Sequence, residues 1–158
     1  MSKRGTELMD KVSQQVDMAR ELLAEAADSD LMRPYVDREK DHSVNSVGAA
    51  ALHFIEGYQK IGRLLKTAGC VPAAEGTPHT HGHGHAHDHA PRLPEVLEKL
   101  DGTQKVLPLL ADLTDTQLDS VPAVKNQWAD GERTLAVVLD TIISHQAGHL
   151  ASLRDALV

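Results

Sequence analysis

From Thr134 to Val158 the chain places apolar side chains three and four residues apart. Leu135, Val138, Leu139, Ile142, Ile143, Leu150, Leu153 and Leu157 carry the pattern, and Gln146 and His149 fall in the same register. A helix of 3.6 residues per turn gathers those positions on one side, so the stretch is committed to an amphipathic helix that must cover its apolar face with others. No run of the chain alternates apolar and polar residues in the manner of a strand, and aromatic residues make up only 3%. The expected core is therefore one of Leu, Val, Ile, Ala and Met between packed helices.

Three further helices are expected. The first spans Thr6–Ala27, with Thr6 as its cap, Leu8, Met9, Val12, Val16, Ala19, Leu22, Leu23 and Ala26 as its apolar face, and Asp28-Ser-Asp closing it. Leu31–Asp41 reads as a connector broken by Pro34. The second helix opens at Ser43 or Asn45 and runs to about Thr67, with Val47, Ala50, Ala51, Phe54, Tyr58, Ile61 and Leu65 inward. The third covers Pro94–Ala111, weakened or kinked at Gly102 and Pro108. Residues 112–133 read as irregular, with Trp128 plugging one end of the core, Asp130-Gly131 turning and Thr134 capping the last helix. The expectation is a single all-α domain over 1–158, a four-helix bundle with a flexible insertion at 71–93.

Composition removes several classes. With 16 basic and 23 acidic residues the net charge is −7, which disfavours nucleic acid, whose phosphates call for a basic patch. No signal peptide or membrane-spanning run is legible. Cys70 is the sole cysteine, so no internal disulfide forms, a cytoplasmic location fits, and the thiol reads as a small apolar residue or a reactive group.

The histidines carry the chemistry. His145 and His149 are four residues apart on the last helix, which stacks them on one face, His149 within the apolar stripe and His145 at its edge. Inward imidazoles need partners, either neighbouring side chains or a cation. His53 lies beside the stripe of the second helix, with Gly57 one turn later leaving room next to the imidazole. His42 has no spacing partner and reads as a surface residue. Glu56 reads as a carboxylate near the side of His53, and Asp140 falls on the face away from His145.

A histidine in the second helix, within Val47–Tyr58, followed by an i, i+4 pair in the last, within Trp128–Leu135 and Ile142–Leu150, resembles the DinB-like (DinB/YfiT) superfamily. That superfamily includes metal-dependent hydrolases of the YfiT type and low-molecular-weight-thiol transferases. The resemblance implies a bundle in which His53, His145 and His149 are the three protein ligands of one divalent ion, zinc or nickel and in principle copper. Three neutral imidazoles leave a position open for water or a thiol, and affinity should fall below about pH 6 as imidazoles protonate. No convincing second acid or base accompanies the triad, so a metal centre is implied more firmly than a reaction.

Outside that resemblance lies a low-complexity tract with His79, His81, His83, His85, His87 and His89 alternating with Gly, Thr, Ala and Asp. It lacks the apolar surface to offset the entropy of ordering, so a mobile loop is expected. In an extended chain alternate residues share a side, which makes the tract a comb of imidazoles able to chelate nickel, zinc or copper, with Asp88 as an added oxygen. A drifting low-complexity insert is the plainer reading. Three functions remain open: a hydrolase or thiol S-transferase built on the triad, a non-catalytic metal buffer or chaperone built on the loop, and a metal-free helical interaction module. A homodimer formed through a helix face near Leu52 is a further expectation.

Overall fold

The structure is a computed structural model that describes residues 2–35, 46–67, 91–123 and 128–157. The ordered elements are α1 (Lys3–Ala24), α2 (Asp28–Leu31), α3 (Val47–Thr67), α4 (Leu93–Gly102), a 3-10 turn (Thr103–Lys105), α5 (Val106–Ala111), α6 (Asp115–Asp119) and α7 (Leu135–Leu157). The protein is all-α: the described residues form no β-strand, only isolated bridge positions such as the antiparallel pair Pro34 and Ser46. No helix among them is long and apolar enough to cross a membrane.

The ends of the helices are set by side chains satisfying otherwise unpaired amides. Helix α1 begins earlier than Thr6, because Ser2 is its cap: the hydroxyl oxygen accepts from the Gly5 amide at 2.9 Å and donates to the Leu113 carbonyl at 2.7 Å. It also ends earlier. Asp28 and Asp30, expected to close it, instead belong to α2, where Asp30 accepts from the Ala27 amide at 2.8 Å. Asp28 reaches out of α2 to accept from the Leu93 amide at 2.8 Å, occupying a donor at the start of α4. Ser46 accepts from the Ala49 amide at 3.1 Å at the start of α3; Ser43, Asn45 and His42 lie outside the described residues. Thr134 caps α7 through the Val137 amide at 3.3 Å, as expected.

Residues 112–133 hold more order than their sequence promised, for α6 occupies Asp115–Asp119 behind a capping box in which Thr114 and Gln117 each accept from the other's amide. The expected weakness in the third helix is a break into α4, the 3-10 turn and α5. Pro108 has no amide proton, and its ring excludes the carbonyl of residue 104, so the turn before it tightens. Thr103, 1% exposed, feeds its hydroxyl into the Leu100 carbonyl at 2.6 Å.

Cross-contacts fix directions. Lys11 meets Asp140 at 3.6 Å and Gln15 reaches the Ile143 carbonyl at 3.1 Å, so α1 and α7 run parallel. Gly5 lies against Leu110 and Leu113 while Arg20 pairs with Asp101 at 2.9 Å, so the α4–α5 rod runs opposite to α1. His53 faces His149 and Gly57 faces Gln146, so α3 runs opposite to α7. Helices α3 and α4–α5 are parallel, with Gly48 against Pro91 at one end and Gly62 near Val106 further along. The core between these rods is built from Leu, Ile, Val and Ala around Phe54 and Tyr58, whose rings meet edge to face at 5.2 Å. Burying each such large side chain contributes about 1.5–3 kcal/mol. Leu52 belongs to this core at 2% exposure, so it forms no part of a dimer surface.

Candidate metal centre

Helix α3 carries His53 on the edge of its buried stripe, and α7 carries His145 and His149 on the edge of its own. Because the two helices are antiparallel neighbours, those edges meet. The His53 and His149 rings stand with centroids 5.1 Å apart at 88°, and the His145 and His149 rings at 4.3 Å and 90°. All three imidazoles are half-buried. The Nε2 atoms of His145 and His149 are 2.8 Å apart, a contact in which one ring presents a proton and the other a lone pair. On the far side of His145 stands the half-buried indole of Trp128, centroids 4.9 Å apart at 61°. Trp128 thus packs against the edge of the core, and the imidazole it meets there is that of His145.

The segment that brings Trp128 to the cluster is held by Asp130. Its Oδ1 accepts from the Arg133 amide at 2.9 Å and the Glu132 amide at 3.0 Å, which holds its carboxyl below the usual range. Gly131 closes that turn with φ of 80°, a conformation that glycine adopts without strain. The expected Asp130-Gly131 turn is thus present and aims the chain from Trp128 into α7.

Among the described residues no set of three or more His, Cys, Asp or Glu side chains stands ready-made as a cation cage. The donor chemistry nonetheless suits one. Two nitrogens each about 2.0–2.1 Å from a common ion stand about 2.9 Å apart at a right angle and about 3.3 Å apart at a tetrahedral one. The observed 2.8 Å is just short of that range. A cation shared by the pair would sit to one side of the line joining the two nitrogens, and His53 would have to turn about its side-chain torsions to join them. The carboxylates nearest in sequence offer no help: Glu56 is exposed, and Asp140 is exposed and ion-paired with Lys11.

The room that Gly57 leaves beside His53 is taken up by Gln146. A Cβ there would overlap Oε1 of Gln146, whose amide lies across the glycine and donates from Nε2 to the Phe54 carbonyl. Gln146 is 2% exposed. Tyr58, fully buried one residue beyond Gly57, donates to Oε1 of Gln15 at 2.7 Å, and Nε2 of Gln15 donates to the Ile143 carbonyl. Burial pushes the Tyr58 phenol well above the ordinary tyrosine range, with the Gln146 amide partly opposing the rise. Gln15 carried no signal in the sequence. Gln146 did: a polar amide in the middle of an apolar stripe has to find a partner inside.

Residues 79–89 and Cys70 lie outside the described residues. Family models, curated proteins and solved structures contain no match to this chain.

Proposed function

We propose that this protein is a DinB-like four-helix bundle that binds one divalent cation, zinc or nickel, through His53, His145 and His149. The observation that carries the reading is the meeting of three half-buried imidazoles from α3 and α7, two of them nose to nose at Nε2. The parallel and antiparallel order of α1, α3, α4–α5 and α7 supports the bundle. A cation held by three neutral imidazoles keeps positions open, and there it acidifies a water or a thiol, the chemistry of a hydrolase or a thiol S-transferase. The chain's own contribution is to orient the rings, with Trp128 packed against that of His145.

The test uses cobalt(II) as the probe and the full-length chain with serine at positions 79, 81, 83, 85, 87 and 89, which silences the tract. One ion per chain with ligand-field bands is expected. Changing His53, His145 or His149 to alanine should each weaken binding by at least a hundredfold. A tract-silenced chain that takes up no cobalt sinks the reading.

A second reading, a metal buffer or chaperone that uses the histidine tract, is favoured by the placement of Pro91. Buried Pro91 packs on Gly48, its Cδ 2.9 Å from where a Cβ would stand. His53 is five residues along α3 from that point, about 7.5 Å at the helical rise. His89 is two residues from Pro91, about 7 Å of extended chain. The described chain resumes at Pro91, beside the end of α3 nearer His53, and a tract joined there has a raised effective concentration near the triad. Under limiting metal the wild-type chain should load the triad faster than the tract-silenced chain; equal loading removes the delivery role.

A further inference from the structure

Side-chain hydrogen bonds link α1, α3 and α7 in a closed circuit, in which Gln146 and Tyr58 are buried and Gln15 is half-buried. Gln146 on α7 donates to the Phe54 carbonyl on α3, Tyr58 on α3 donates to Gln15 on α1, and Gln15 donates to the Ile143 carbonyl back on α7. The circuit lies at the level of the histidine cluster: Gln146 adjoins His145, Phe54 adjoins His53, and Gly57 is one turn from His53. Apolar faces by themselves tolerate sliding and rotation of a few tenths of an ångström, because dispersion contacts have no direction. A buried amide must reach one particular carbonyl or lose a hydrogen bond in a medium where that is costly. Gly57 allows the amide to lie flat on the backbone of α3, since any side chain would overlap Gln146.

We infer that Gln146 is a positioning residue, which with Gly57 sets the register of α3 against α7 and so the approach of His53 to His149. This rests on the metal reading above for its consequence in binding, and on the circuit alone for its consequence in geometry. Gln146→Leu keeps the side-chain volume and leaves the Phe54 carbonyl with its helical amide partner, so the rods stay packed while the directional contact is lost.

Two measurements separate the two dependencies. In metal-free protein the His53 and His149 ring protons, with centroids 5.1 Å apart, should give a cross-ring nuclear Overhauser effect that Gln146→Leu weakens or removes while helicity is retained. In the tract-silenced chain the same substitution should lower cobalt(II) affinity about tenfold to a hundredfold, the range for partners that orient metal ligands, and should alter the ligand-field bands. Gly57→Ala should lower both affinity and thermal stability. Adding Gln146→Ala to it removes the overlap and should restore stability without restoring affinity. If Gln146→Leu keeps both the Overhauser effect and the affinity, or the double variant regains both stability and affinity, the positioning role is overturned. If wild-type protein takes up no cobalt but Gln146→Leu still loses the Overhauser effect, the register role stands and the metal reading falls.

Discussion

Trp128 is the chain's single tryptophan, and its indole lies edge-on to His145 with centroids 4.9 Å apart. That contact gives the protein an internal reporter. Nickel(II) or copper(II) entering the cluster would sit within reach of the excited indole and quench it. In the tract-silenced chain, intrinsic fluorescence should fall in proportion to the ion bound at the cluster, saturating at one equivalent. With His145→Ala the quenching should be lost or shifted to far higher metal concentration. Fluorescence indifferent to saturating nickel would place the cation elsewhere.

Among the described glycines, Gly5 makes the tightest approach to another element's backbone, where α1 meets α5. A Cβ on Gly5 would lie 2.6 Å from the Leu110 carbonyl oxygen and 3.0 Å from that of Leu113. Both obstacles are backbone, so relief requires α5 to move as a unit, and Ser2 is bonded to the same Leu113 carbonyl. Gly5→Ala should therefore destabilise by about 1–3 kcal/mol, as overpacking does. The helical glycine at 102 has open space around it and an ordinary φ of −60°. Gly102→Ala should be neutral or stabilise by up to about 1 kcal/mol, through a less flexible unfolded chain. Urea unfolding of the two variants distinguishes a steric limit from simple helix propensity; equal midpoints would mean that α1 and α5 do not approach as described.

For the molecule as a whole, the buried Tyr58 ties stability to alkaline pH. Tyr58 has its phenol raised by burial, so between the unfolded-state value of about 10 and the higher folded-state value the native chain holds a proton that the unfolded chain releases. Stability from this group is complete below pH 10 and declines as pH rises above it. Phenolate absorbance from Tyr58 should thus appear together with loss of helicity, and Tyr58→Phe should flatten that part of the pH–stability profile at the expense of the bond to Gln15. Ionisation of Tyr58 near pH 10 with the helices intact would contradict its burial.

The sequence by itself determined the helices, because the three-and-four spacing of apolar residues in 134–158 and 47–67 is a local property, and so is the choice of Thr134 as a cap. It also determined which histidines share a face, since His145 and His149 are related by one turn of the same helix. What it left open depends on residues distant in the chain. Ser2 is a cap partly because Leu113 is there to take its proton, and α2 is ordered partly because Asp28 meets the Leu93 amide. Leu52 reads equally well as surface or core until α3 is packed. That Gln146 fills the room left at Gly57 was not legible, because helix periodicity specifies which face a residue is on but not how far one rod slides along another. Only the packed rods decide that, through directional bonds such as the one from Gln146 to Phe54, and with them whether three imidazoles meet.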